Sequence, residues 1–389
     1  MESRWLPQEL VDAIVYELDD VDSLKACTLA GSMFRETSQR ILLRSITLPQ
    51  NLKEAHTCLE ESPHVASYIT LLIVRLPPAS DIASLQQILQ VATLMNVRKC
   101  VLHRMHDGFR ASYHTPALTA TLLDFLARQP LHELHLSIAT VVPPTVVLRL
   151  LSMAPCISFY RVSVEKDGGT SLDTFRSPPN TPKLEDLVVE TGADDVHKLL
   201  ALPQSKSCTS TLRRFSVYSL DYLNPSVQLI CAAASTLEHI QLHIRVPILP
   251  PALPLLRSAK FFVIMDRQPA HWLDFVSATV STSPLLTDIA LSFTPISKET
   301  WKDGHTRFFD RTPLAPLDTA LAAHPARPTI RWRVDFHHEN DSADIFAEFT
   351  TTVENAMPKM REEKRLVLER YNRFAERTRR MMGYARWSG

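Results

Sequence analysis

The sequence predicts an α/β chain in three parts. These are a small helical module over residues 1–48, a stack of parallel strands backed by helices over 49–340, and a basic C-terminal helix or cap over 341–389. Three observations predict it. Apolar residues recur as apolar-x-x-apolar-x-apolar, with neighbouring copies 19 to 34 residues apart. Stretches of helical periodicity lie between the copies. Prolines fall where a helical stretch gives way to the next apolar run, stopping the helix without costing a sheet hydrogen bond.

The helical module comes first. Pro7 stands where a first helical turn tolerates a missing N–H, and Glu9 follows at the positive end of the helix dipole. Leu10, Ile14 and Leu18 repeat at four-residue spacing, with Val11 widening the stripe. Asp19, Asp20 and Asp22 interrupt it, and a second short helix runs through Leu24, Cys27 and Leu29. A third apolar face follows Gly31, from Phe34 to Leu43. About forty residues are too few to bury a stable core alone, so the module needs something to cover its apolar faces.

This segment resembles an F-box, the module by which substrate receptors dock onto the small adaptor subunit of cullin–RING ubiquitin ligases. The Leu6-Pro7-x-Glu9-Leu10 opening, then Ile14, Leu18, Leu24 and Cys27, match the family's spacing, and Phe34 stands where the family usually carries a Trp or another aromatic. The resemblance covers only the first forty-odd residues. It implies that Leu6, Pro7, Leu10, Ile14, Leu18, Leu24, Cys27 and Phe34 contact the adaptor, with an affinity altered by Phe34. Without the resemblance, the same residues read as a helical cap on the next domain.

The repeats follow. Their fourth positions are Leu72, Cys100, Leu134, Tyr160, Leu187, Phe215, Ile240, Ala259 and Ile289, and Ile330-Trp332-Val334 fits the alternating half of the pattern. The intervals fall within or near the period of leucine-rich repeats, and the pattern resembles that family's LxxLxL strand. The Asn or Cys that the family places after the strand is missing, so the turns must be held another way. Helical stretches at 81–94, 117–126, 145–153, 194–202, 226–235 and 271–282 would pack behind the strands, and Pro130, Pro155, Pro182, Pro203 and Pro284 separate several of them from the next strand. The expectation is an irregular leucine-rich-repeat solenoid, each unit burying its apolar face against its neighbours. A doubly wound sheet would give the same alternation of strand and helix. It calls for strands apolar on both faces, whereas the odd template positions here are often polar.

Those odd positions share one sheet face by strand alternation. Lys99, His103, His135, Phe159, Arg161, Arg214, Tyr218, His239 and Gln241 fall there, a mix of charge and aromatic anchors suited to holding a protein target. A merely solvated face has the same composition.

Composition narrows the chemistry. A formal net charge of +0 gives no general electrostatic case for a nucleic-acid partner. Six dispersed cysteines without a C-x-x-C fit a reduced cytoplasmic or nuclear setting. Early charges rule out a signal peptide, and the apolar run at 246–256 is too short and proline-rich to span a bilayer. Neither phosphate-binding glycine motif is present, and there is no nucleophile elbow. His103, His106, His132 and His135 near Cys100 do not make a zinc site, because Cys100 points inward and the strand histidines outward. No cofactor, metal or catalytic residue is expected.

After a polar hinge at 340–344, a helical pattern runs from Ile345 to Met357, and the chain beyond Pro358 turns basic. Pairs such as Glu369–Arg373 are at helical contact spacing. The segment reads as a helix closing the last repeat, or as a basic helix for an acidic partner. Taken together, the sequence predicts a non-enzymatic substrate receptor. The alternative is an interaction scaffold with an F-box-like fold that never joins a ligase.

Overall fold

The computed structural model describes residues 6–18, 20–48, 52–75, 82–90, 94–103, 116–165, 183–190, 192–202, 205–218, 223–244, 249–263, 270–293, 313–335 and 342–371. It is an α/β protein in which twelve strands form one parallel sheet in chain order. The chain divides into two compact units, residues 1–157 with 164–168 and 387–389, and residues 158–163 with 169–386.

The first unit opens with α1 (Gln8–Tyr16), α2 (Val21–Ala30) and α3 (Ser32–Leu42). Pro7 precedes α1, and its carbonyl accepts from the amides of Leu10 and Val11. Asp20 caps α2, its carboxylate accepting from the amides of Asp22 and Ser23. Strands β1 (Ser45–Leu48), β2 (Leu71–Arg75), β3 (Lys99–His103) and β4 (Glu133–Val142) follow. Between them lie α4 (Leu52–Glu61), α5 (Pro63–Tyr68), α6 (Ile82–Gln90) and α7 (Pro116–Arg128), and α8 (Pro144–Leu151) precedes β5 (Cys156–Val164), in which the two units divide.

In the second unit the strands are β6 (Asp186–Val189), β7 (Arg214–Val217), β8 (His239–Ile244), β9 (Ser258–Val263), β10 (Asp288–Phe293), β11 (Thr329–Asp335) and β12 (Leu366–Tyr371). Its helices are α9 (Asp194–Leu200), α10 (Lys206–Thr209), α11 (Leu223–Ala233), α12 (Ala270–Thr282), α13 (Ala315–Ala322), α14 (Ser342–Ala356) and α15 (Pro358–Glu362). A doubly wound sheet reverses strand order at a switch point. Here each strand lies beside the next in sequence, which excludes that alternative.

The registers follow the sequence template. Ile46, Leu72, Cys100 and Leu134 lie in one cross-strand row. Leu187, Phe215, Ile240, Ala259, Ile289, Ile330 and Leu366 form another. Leu72, Cys100 and Leu134 are fully buried, as are Leu187, Phe215, Ala259 and Ile289. Each of the buried Leu, Ile and Phe side chains contributes roughly 2 kcal/mol of burial.

A regular backbone ladder ties the leading ends of the strands together. The Arg44 carbonyl accepts from the amides of Thr70 and Leu71, that of Thr70 from Arg98 and Lys99, and that of Arg98 from His132 and Glu133. The carbonyls of Glu185, Arg213, Glu238 and Arg257 repeat the pattern in the second unit. Buried Gln129 adds a side-chain bridge, accepting from the Val97 amide and donating to the Leu94 carbonyl. These bonds hold neighbouring repeats in register without an asparagine ladder. Prolines also begin helices, at Pro63, Pro116, Pro144 and Pro358, where the missing amide costs nothing. Pro182 and Pro203 lie outside the described residues.

Three expectations are corrected. The chain after Pro358 is not one basic helix: α15 is a single turn, and β12 follows as a strand paired with β11. The repeats begin earlier than residue 49, because β1 already pairs with β2. The template also loses phase inside two long strands, at Ile138 in β4 and Arg161 in β5, where φ is 56° and 51°. A residue in the left-handed region inside a strand acts as a bulge and changes which side chains face inward.

Candidate functional site

Two surfaces carry the residues singled out in the sequence. The first is the helical module. Val11, Val15, Leu24 and Ile41 form its small core, against which Leu18, Met33, Phe34 and Leu42 are partly buried. Polar pins fix α1 to α3. Gln8 donates from Nε2 to the Met33 carbonyl at 2.9 Å and to the Asp12 carboxylate at 2.8 Å. Thr37 donates its hydroxyl to the same Asp12 oxygen, the main reason the Asp12 carboxyl titrates below its usual range. With Gln8 and Asp12 turned to α3 and Val11 and Val15 in the core, Leu10 and Ile14 face outward. Leu6, Leu10 and Ile14 are 52%, 51% and 53% exposed, and Pro7 is exposed beside them.

The candidate adaptor residues therefore divide. Leu6, Pro7, Leu10 and Ile14 present an open face, and Leu18, Cys27 and Phe34 are half-buried. Leu24 is a correction: at 3% exposure it belongs to the module's own core, because its face of α2 turns to α1 and α3. Leu29, Tyr16 and Val21, outside the predicted docking set, are exposed as well, Leu29 at 86%. Leu29 follows Cys27 in the apolar stripe, and exposure at that position has no sequence signal.

The second surface is the sheet face. On β3 and β4, Lys99 and Glu133 are cross-strand partners with Nζ 2.8 Å from Oε2. His135 Nε2 donates to the same carboxylate oxygen at 3.2 Å. The His135 bond, aided by Lys99, holds the Glu133 carboxyl at about 2 against the opposing effect of burial. Desolvation lowers the His135 pKa, so the ring is neutral at pH 7 and donates an uncharged N–H. His103 Nδ1 lies 2.7 Å from the Ser137 hydroxyl. Lys99, His103 and His135 are thus brought together and engaged with Glu133 and Ser137.

In the second unit Arg214 pairs with Asp186 at 3.3 Å, its side chain still 53% exposed, and His239 is its neighbour in register on β8. Arg161 is exposed, with its guanidinium 5.3 Å from the Tyr160 ring centre. Gly192 has φ of 78°, and a Cβ there would lie 3.4 Å from the Arg161 backbone. The positive φ, rather than the contact, is what suits glycine. Tyr218 is half-buried, 5.8 Å from the Phe262 ring, and His243 stacks on Phe262 at 4.6 Å.

Two target-face residues are corrections. Phe159 is fully buried, because the bulge at Arg161 puts Ile157 and Phe159 inward ahead of it and Val162 and Val164 inward after it. Gln241 is buried as well: β8 and β10 are covered on both faces from their second residue onward. Of the predicted face, Arg161 and Arg214 are exposed, while Tyr218 and His239, and the paired Lys99, His103 and His135 group in the first unit, are half-buried.

Among the described residues no group of three or more His, Cys, Asp or Glu is placed to hold a metal ion, and no helix is long and apolar enough to cross a membrane. The six cysteines are free thiols. No protein-family model matches the chain, and no curated protein matches it.

Proposed function

We propose that this chain is a substrate receptor of an SCF-type ubiquitin ligase, docking through α1–α3 on the adaptor subunit and offering its repeats to a target protein. One observation carries the reading: Leu6, Leu10 and Ile14 form an open apolar stripe on a module whose own core holds only four buried residues. Apolar residues aligned at helical spacing and left half in water are what a second polypeptide covers. On this reading catalysis belongs to other subunits. The receptor acts by raising the target's local concentration near the loaded enzyme. Arg161, Arg214 and His239, with the Lys99 and His135 group, are the side chains that would meet the target.

The test separates docking from folding. Leu10→Asp combined with Ile14→Asp removes the stripe without touching Val11, Val15 or Leu24. The expected outcome is loss of co-purification with the adaptor, by at least about a hundredfold in affinity for two charges set into an apolar interface, with an unchanged circular dichroism spectrum. Undiminished recovery would reject the assignment. Leu24→Asp is unsuitable, since its side chain lies in the module's own core. If the adaptor binds but the partners captured by the repeats keep their half-lives when this chain is depleted, the protein is a scaffold rather than a ligase receptor.

A further inference from the structure

The first unit contains a cavity of about 530 Å³ that neither docking nor the sheet face uses. Arg40 near the end of α3, Arg44 just before β1, and Arg98 just before β3 line it, with Ser67, Tyr68 and Thr70 among the other walls. The backbone ladder explains the convergence. Arg44, Thr70 and Arg98 occupy the same position in successive repeats, joined carbonyl to amide. Adjacent parallel strands lie about 4.8 Å apart, so the two arginines flank Thr70 within reach of one shared oxyanion. Arg40 comes in from the side, its guanidinium 5.7 Å from the Tyr68 ring centre.

Among the described residues no carboxylate lines this cavity. Burial lowers the pKa of Arg44, as expected for a guanidinium partly withdrawn from water. Arg40 pairs with Glu36 outside the lining, but both side chains are more than half exposed. Such a surface pair is worth little and exchanges readily for a stronger anion. Three guanidinium groups around one concavity, with hydroxyl groups among its walls, match the planar, forked donors that phosphate oxygens accept. The volume is that of a small-molecule or side-chain site rather than a groove for a duplex.

We propose that this cavity binds a phosphate monoester, carried either on a phosphorylated protein side chain or on a free small molecule. The inference stands whether or not α1 docks on an adaptor.

Isothermal titration of the full chain tests it, with O-phosphoserine, inorganic phosphate, and a short Gly/Ala peptide bearing one phosphoserine as probes, and the unphosphorylated peptide as the blank. Saturable binding of the phosphorylated probes is expected. Arg98→Gln and Arg40→Gln, both at exposed side chains, should each weaken it about tenfold, the loss of one charge-assisted contact. Arg213→Gln, at the equivalent repeat position in the second unit, should leave it unchanged. No saturation up to about 10 mM, or equal loss with Arg213→Gln, overturns the proposal, since the response would then be absent or diffuse surface charge. A phosphopeptide bound at least about fivefold tighter than phosphoserine marks a protein-borne ligand, and equal or weaker binding marks a free ester; both support the site.

Discussion

The three N-terminal helices and the last repeats of the second unit solve the same burial problem in opposite ways. Residues 6–43 hold seven of the twelve exposed large apolar side chains among the described residues, around a core of four. The described residues of 313–371 have none in that exposed class. There Trp332 is fully buried, stacked on Phe293 at 5.3 Å and set edge-on to Trp272 at 6.1 Å. Buried Asp318 accepts from the amides of Lys359 and Met360, satisfying the open start of α15. Buried Arg365 donates to the carbonyls of Pro328 and Leu321 and pairs with Glu363. The last repeats cover their apolar faces and tie buried Asp318 and Arg365 into hydrogen bonds. The N-terminal helices leave theirs half in water.

Truncation is the strongest way to break this comparison. Trp332→Ala should destabilise the second unit by about 4 kcal/mol, the cost of a cavity within packed aromatic rings. Leu10→Ala with Ile14→Ala should change stability by less than about 1 kcal/mol, because both side chains are already half in water. Chemical denaturation followed by hydrogen exchange, which reports each region separately, measures both. A large loss from the Leu10 and Ile14 pair would mean that the chain itself uses the stripe.

Arg365→Ala comes next. It strands the Pro328 carbonyl, leaves the Leu321 carbonyl with only the His324 amide, and removes one of the two arginine partners of Glu363, so a loss of about 2 kcal/mol is expected from denaturant midpoints. Arg365→Met, which fills the space without the charge, should recover part of it. Recovery of the whole loss would show that volume rather than hydrogen bonding anchors β12.

The repeats were largely legible in the sequence because a strand buried against its neighbours must place apolar residues at fixed positions. Leu72, Cys100 and Leu134 align as their spacing required. Even β1 obeys the template, as Leu43-x-x-Ile46-x-Leu48, but its proximity to the helical pattern disguised it. The failures have local causes. Phe159 was misplaced because a bulge one or two residues later resets the alternation, and periodicity carries no mark of where an Arg will enter the left-handed region. β12 was hidden because Leu366-x-Leu368 is short and lies among charges at helical spacing. Gln241 could not be read, since alternation marks one buried face of a strand and carries no mark of cover on the other. The exposed stripe of α1 was half legible: helical spacing identifies an apolar residue, but only packing tells Leu10 from Leu24. Arg44 and Arg98 did carry a signal, as basic residues at the same repeat position.

Acid should discriminate between the two regions. His197 on α9 is fully buried, its ring edge-on to Phe215 at 6.1 Å, and among the described residues neither ring nitrogen has a hydrogen-bond partner. Desolvation depresses its pKa to about 4 from an ordinary 6.5. The unfolded chain takes up this proton as pH falls through 6.5, and the folded chain does not until about 4. Stability from this group is therefore complete above pH 6.5 and declines between those values, by at most ~3 kcal/mol. Denaturant midpoints of the second unit at pH 7 and pH 5 should differ more in the parent than in His197→Leu. The helical module, which contains no histidine, should lack that difference.

The smallest effect concerns how the C-terminal end turns. Lys364 sits between α15 and β12 with φ of 56°, its amide donating to the Arg361 carbonyl while that of Arg365 donates to Met360. This is the left-handed position that follows a helix and that glycine commonly fills. A lysine there carries a Cβ clash of roughly 1 kcal/mol, and Lys364→Gly removes it at the cost of a more flexible unfolded chain. The Lys364 side chain is exposed and makes no hydrogen bond or ion pair among the described residues, so little else changes. A net gain of about 0.5 kcal/mol, near 2 °C in Tm, is expected for the second unit. A loss instead would mean that the Lys364 side chain contributes more to closing this end than its exposure suggests.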